Sequence, residues 1–295
     1  MITTPYGQPP KDYRLPDATT LGGVRLQVAD LDRSLAFYQS VLGLTVTART
    51  EAGATLSPQG TQTALVELVE KKGARSGGMD RRLGLFHFAI LLPTRAALAA
   101  FVRHANGLGV QLGAGDHVVS EAFYLHDPDG LGIEVYADRP RDTWRAIEGQ
   151  LVMGTDPVDI ANLLAESDAA WNGMPAGTVM GHVHLHVGEI AKASAFYSEA
   201  LGFDRMVWNY PGALFLAAGG YHHHLGTNTW AGSGARNPND DDARLLEWTI
   251  VVPSAADVAA VASHLDAVGH AAQREGINSI VTRDPWDTPV RIRTA

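Results

Sequence analysis

The chain contains no cysteine, which excludes disulfides, thiolate metal ligands and a cysteine nucleophile together. Any bound metal must therefore be held by His, Asp or Glu. Basic charge is also scarce: 23 Lys and Arg face 32 Asp and Glu for a net charge of −9, and no basic run exceeds the pairs Lys71-Lys72 and Arg81-Arg82. No nucleic-acid partner is expected from such a balance. No apolar run approaches the ~20 residues that span a bilayer, and the opening MITTPYGQPPKDYRLPD has no apolar core of the secretory kind. The expectation is a cytoplasmic protein with no membrane partner. What remains is ordinary globular material, 295 residues at 45% apolar and 19% charged, long enough for two domains.

The chain repeats itself. VRLQVADLDRSLAFYQSVLGL (24–44) and VHLHVGEIAKASAFYSEALGF (183–203) share an alternating apolar run, then Phe-Tyr and Leu-Gly at a constant offset of 159 residues. Alternation predicts a half-buried strand, and the apolar spacing after it, closed by Gly43 or Gly202, predicts a helix with a glycine stop. LFHFAILLPTRAALAAFVRHANGLGV and LEWTIVVPSAADVAAVASHLDAVGH form a second pair, each strand, proline, helix and then Gly109 or Gly269. Units start near 23, 87, 182 and 247, and the rest of each is strand-rich. The pattern is βαβββ, four times, in an α+β class. The expected division is an N-terminal arm (1–18), modules one and two (19–140), a linker with a short helix (141–177), and modules three and four (178–295).

Four such modules resemble the vicinal oxygen chelate superfamily of glyoxalases, bleomycin-binding proteins and extradiol dioxygenases. That resemblance covers roughly 20–140 and 178–295, and it implies two open barrel-like domains, each made of paired modules, with a metal on a concave face. Within module two, GDHVVSEAFYLHDPDGLGIE (115–134) is similar to the signature of extradiol ring-cleavage dioxygenases. The similarity implies Glu134 as carboxylate metal ligand, His117 and Tyr124 as groups that hydrogen-bond substrate and oxygen, and His87 as a histidine ligand. His182 stands in module three where Gly23 stands in module one, so module three must supply the other histidine. His184 lies on the same strand face by period-two alternation and is a candidate for lining the cavity.

Three consecutive histidines occur in FLAAGGYHHHLG (215–226), which resembles the extradiol segment carrying the acid/base histidine. His223 is its best match, with His222 and His224 one residue to either side and counted as substrate-binding candidates. Trp230, Trp171, Trp208 and Tyr221 are candidates for an aromatic wall. Because the signature lies in module two and the histidines in module three, one barrel must combine these two, either within a chain or across a dimer. Modules one and four then form the other barrel. There Glu247 replaces His87 and Arg291 replaces Glu134, and an ion pair between them is expected. Glu67, at a position resembling the glyoxalase carboxylate, is expected to be a paired structural charge.

Two histidines and one carboxylate suit non-haem Fe(II), and Mn(II) or Zn(II) accept the same donors. The resemblance implies an extradiol, catechol 2,3-type dioxygenase acting on a small aromatic diol with O2, in a homo-oligomer. Two other functions stay open at this point: a metal-dependent lyase or isomerase of glyoxalase type, and a non-enzymatic protein that sequesters small molecules.

Overall fold

Strand, helix and three further strands recur four times in the computed structural model, which describes residues 6–77 and 81–295. Module one comprises β1 (Thr20–Val28), α1 (Leu31–Ser40), β2 (Thr45–Arg49), β3 (Gly53–Ser57) and β4 (Val66–Glu70). Module two comprises β5 (Gly84–Leu91), α2 (Arg95–Gly107), β6 (Gly113–Asp116), β7 (Ser120–His126) and β8 (Gly132–Asp138). A connection follows, with the short strands β9 (Ala146–Ile147) and β10 (Gln150–Leu151) and the helix α3 (Ile160–Leu164). Module three has β11 (Val179–His186), α4 (Ile190–Ala193) continued by a π-helical turn (Ser194–Ala200), β12 (Asp204–Val207), β13 (Ala213–Ala217) and β14 (Leu225–Asn228). Module four has β15 (Arg244–Val251), α5 (Ala255–Ala267), β16 (Ala272–Arg274), β17 (Ser279–Arg283) and β18 (Pro289–Arg293).

Local chemistry sets the helix ends. Asp30, Thr94 and Ser254 precede α1, α2 and α5 in extended conformation, and each side chain accepts from the backbone N–H three residues on, satisfying donors that the first turn leaves free. Gly43 and Gly202 follow the first helices of the two halves at φ of 72° and 96°, a region that a side chain disfavours.

Two eight-stranded sheets result, ordered β12-β13-β14-β11-β5-β8-β7-β6 and β16-β17-β18-β15-β1-β4-β3-β2. Each therefore takes one module from each half of the chain. Modules two and three share the first sheet through the antiparallel seam of β5 with β11, and modules one and four share the second through β1 with β15. The pairing of modules two and three is thus made inside one chain. A continuous apolar cluster including Val24, Leu26, Phe88, Ile90, Val183, Leu185, Trp248 and Ile250 fills the interior.

A repeated clamp joins the two sheets. Tyr38 of α1 donates to Asp127 in the turn after β7 at 3.2 Å, and Tyr197 donates to Asp284 after β17 at 2.7 Å. Asp127 also accepts from the backbone N–H groups of Asp129 and Leu131 at 2.9 Å each, while Arg33 of α1 pairs with Asp129. Burial nevertheless pushes the Asp127 carboxyl up to about 6. A carboxyl raised in the fold binds its proton more tightly there than in the unfolded chain. Its contribution to stability is therefore complete below about pH 4 and is lost as pH rises through about 6. Urea unfolding of wild type and Asp127→Asn across pH 4–7 checks this. The wild-type stability should fall relative to the variant by up to about 3 kcal/mol, and a difference independent of pH would show an unshifted carboxyl.

Candidate metal centre

Strand register lays out the floor of the site. His182 of β11 stands opposite Ala89 of β5, and Ala89 stands beside Glu134 of β8; direct partners share a sheet face. The outer two strands are separated by two strand spacings, ~10 Å, so their side chains meet only if both are long and the middle one is short. Ala89, fully buried, is short. Above it, His182 Nε2 reaches to 3.1 Å from Glu134 Oε2. His87, two residues before Ala89 on the same face, brings its Nε2 to 3.0 Å from the same oxygen. All three side chains are buried, and their candidate ligand atoms lie within 4.8 Å of one another.

The donor set fits a cation better than it fits itself. Glu134 Oε1 and His87 Nε2 make no hydrogen bond although both are buried: the His87 nitrogen is near the carboxylate but not aligned to share a proton with it. Two donors each ~2.1 Å from a common ion and at right angles would lie ~3 Å apart. Burial holds both imidazoles below their ordinary range, in the neutral form that coordinates metal. Burial also pushes the Glu134 carboxyl up, but the His182 and His87 groups against it more than offset this and hold it well below the usual range.

The cluster lies at one side of a cavity of about 230 Å³ that Phe86, His117, Tyr124, Met153, Gly154, Thr155, Tyr210, Phe215, Trp230, His184 and His223 complete. His117 Nδ1 lies 2.7 Å from the Gly154 carbonyl, which can only accept, so its proton sits there and its Nε2 accepts from the Tyr124 hydroxyl at 2.5 Å. Val118, directly after His117, is held at φ 72°, a costly conformation for a β-branched residue. Asp116 secures it by accepting from the Val118 N–H at 2.9 Å. Burial, then the Glu134 charge, push the Tyr124 phenol well up, so it remains a donor.

The three consecutive histidines diverge. His223 faces the cavity with its ring centroid 4.1 Å from that of His182. His222 turns under the sheet end toward Asp138, and His224 accepts from the Ala218 N–H beside Phe203 and Tyr221. Neither His222 nor His224 lines the cavity, although both were expected beside substrate: the run lies in the irregular segment before β14, with bends at His222 and His224, so its side chains do not share one direction. His184 does line it, with Nε2 accepting from Asn228 Nδ2 at 2.9 Å. Of the four aromatic candidates only Trp230 is a wall. Trp171 packs on α2 against Phe101 and His104, Tyr221 stacks on His222, and Trp208 lies outside the lining.

In the other sheet Arg291 of β18 grips Glu247 of β15 with Nε and Nη2 at 2.6 and 2.9 Å, the expected ion pair. Glu67 is different: it is exposed beside Arg25 in register and forms no ion pair among the described residues.

The profile of the Glyoxalase/Bleomycin resistance protein/Dioxygenase superfamily matches residues 20–135 and 179–288. The chain belongs to that superfamily. It is 44% identical over 275 residues to a protein of Bacillus subtilis (strain 168) named catechol-2,3-dioxygenase, covering 90% of this chain and 94% of the relative. Among solved structures, a candidate dioxygenase of Bacillus subtilis superposes with a TM-score of 0.67 at 13% identity, over 95% of this chain and 86% of that one. Glyoxalase I from Zea mays superposes at 0.56 and 18% identity, over 94% and 92%. At these identities the two structures speak for the superfamily fold alone.

Several cavity residues lay outside the sequence expectations. Met153, Gly154 and Thr155 come from the connection between the halves. Phe86, Tyr210 and Phe215 carry no motif, although Phe86 directly precedes His87. The short floor residue yields a test. Ala89→Val should weaken divalent-metal binding, measured by equilibrium dialysis, roughly tenfold or more with an unchanged circular dichroism spectrum. Undiminished affinity would mean that the three groups do not meet above Ala89.

Proposed function

We propose that this protein is an extradiol ring-cleavage dioxygenase of the catechol 2,3 type, acting on a small aromatic diol with O2. The observation that carries the reading is the convergence of His87, Glu134 and His182 beneath a cavity whose other polar groups are His117, Tyr124, His184 and His223 and whose walls include the rings of Phe86, Tyr210, Phe215 and Trp230. The 44% identical relative bears the matching activity in its name.

In this reading His87, His182 and Glu134 hold Fe(II), the donor set associated with non-haem iron oxygenases; Mn(II) and Zn(II) suit the same donors. When bound, a redox-active ion supplies the electronic link between diol and dioxygen. The chain supplies the rest. His223, which burial holds in the neutral form, accepts a proton from the diol at the cavity wall and gives it to the ring-opened product. The Tyr124 hydroxyl and His117 form a fixed pair on the opposite side of Glu134 that orients the reactants. The aromatic rings hold the diol and keep water out of the reaction volume. A glyoxalase-type lyase or isomerase fits less well: that chemistry commonly draws a second carboxylate from the partner module, and Glu134 is the one carboxylate of the cluster among the described residues.

Oxygen uptake by metal-stripped protein reloaded anaerobically and then given catechols in air tests the reading. Fe(II) or Mn(II) should yield a yellow ring-opened product, Glu134→Ala should abolish both metal retention and turnover, and His223→Ala should lower kcat by ~10²–10⁴ with metal retained. Stoichiometric metal binding without oxygen consumption by any diol would overturn the dioxygenase and leave the lyase or isomerase. Protons compete with metal for the imidazoles, so affinity falls as pH falls. Because burial depresses these imidazoles, metal should be retained below the ordinary histidine value of ~6.5.

A further inference from the structure

His223 does not stand alone behind the cavity. Its Nδ1 lies 2.7 Å from His222 Nδ1, and His222 Nε2 lies 2.9 Å from Asp138 Oδ1. His222 is fully buried, whereas the Asp138 side chain keeps 26% of its surface in solvent. The same carboxylate oxygen takes the Tyr221 hydroxyl at 3.2 Å, and Tyr221 in turn is 2.6 Å from the Tyr136 hydroxyl. Glu134, Tyr136 and Asp138 occupy one face of β8 by alternation, so the strand that carries the carboxylate ligand also carries the end of this chain of bonds.

With His222 as a neutral ring, the chemistry of the groups sets the direction of every bond. A carboxylate only accepts, so His222 must carry its proton on Nε2. A neutral imidazole has one N–H, which leaves His222 Nδ1 as an acceptor. His223 must then donate from Nδ1, and its Nε2 is left as a bare lone pair. Tyr221 likewise donates to Asp138 and accepts from Tyr136, so all hydrogen bonds run toward one anion at the sheet end.

We infer that Asp138, acting through His222, is a positioning residue that fixes the tautomer and ring orientation of His223, so that its Nε2 lone pair faces the cavity. The inference rests on the reading of His223 as the base for the diol, but the tautomer is a property of the protein alone. A bare Nε2 can accept the diol's proton at once; the other tautomer presents an N–H there and cannot. The consecutive histidines therefore divide the work, His223 at the reactants and His222 as its orienting support.

Two-bond ¹H–¹⁵N spectra of the [¹⁵N]histidine-labelled, diamagnetic protein, metal-free or loaded with Zn(II), decide it, with His222→Gln and His223→Gln used for assignment. The expected result is His222 protonated on Nε2 and His223 on Nδ1, with His223 Nε2 resonating as an unprotonated ring nitrogen. A proton on His223 Nε2, or rapid exchange between tautomers, would overturn the inference whatever the activity. Asp138→Ala should convert His223 to a tautomer mixture and lower kcat by ~10–100-fold, leaving KM for the diol within about twofold. An unchanged His223 spectrum in that variant would also overturn it. If the wild-type tautomer is as expected but no diol consumes oxygen, the positioning stands and only the reading of the reaction fails.

Discussion

The antiparallel seam between β5 and β11 is the constraint on which the site depends. The two strands belong to opposite halves of the chain, and their register runs from Val179 opposite Leu91 to His186 opposite Gly84. Only in this register does His184 stand beside His87 and His182 beside Ala89. A one-residue slip would turn every inward side chain outward. The register is not uniform: it shifts between Met180 and His182 and again between His184 and Leu185. The Gly181 position inside the first irregularity carries no side chain for a reason visible in the packing. A Cβ there would fall 1.8 Å from the Tyr136 hydroxyl, which closes the hydrogen-bond chain behind His223.

The second sheet shows the same backbone with different chemistry. β1 and β15 shift register between Leu21 and Val24 and between Arg25 and Leu26, the same places in the repeat. The seam is therefore a property of the repeated module, and the metal cluster is a property of particular side chains placed on it. Where the first sheet has His87 and Glu134, the second has Glu247 and Arg291 in a two-point ion pair. That arrangement satisfies its own charges and leaves no set of donors free. In the first sheet, by contrast, buried Glu134 Oε1 and His182 Nδ1 go without partners, a cost that a structural site would have relieved.

Much of this was legible from residue spacing. The 159-residue offset identified the modules, and the placement of histidines in module three with the dioxygenase-like signature in module two required their pairing. The ion pair of Glu247 with Arg291 followed from the same alignment of repeats. The divergence of His222, His223 and His224 did not follow, because which way each residue of the run points depends on where β14 begins, at Leu225. The wall formed by Met153, Gly154 and Thr155 was hidden for a related reason. These residues belong to no repeat, and what brings them to the cavity is tertiary contact, namely the His117 bond to the Gly154 carbonyl and the two backbone bonds between Asp116 and Asp156. Asp138 had a signal, its even spacing from Glu134 along one strand, but its meaning requires knowing that His222 lies across from it.

These hidden contacts share a physical role. A histidine at the end of a strand is free to rotate, and its two nitrogens are equivalent for many purposes until a neighbour distinguishes them. Both histidines proposed to face the reactants without binding metal are distinguished by a fixed acceptor on the Nδ1 side: the Gly154 carbonyl for His117 and His222 for His223. Each acceptor leaves Nε2 free to act toward Tyr124 or toward the cavity. In the proposed reading Tyr124, His117 and His223 present the reactive atoms, while Gly154 and Asp138, outside both motifs, set which nitrogen of each ring is presented. A chain that displaced the residue-154 carbonyl or lost Asp138 would keep His87, Glu134 and His182 together and forfeit the orientation of the groups around them.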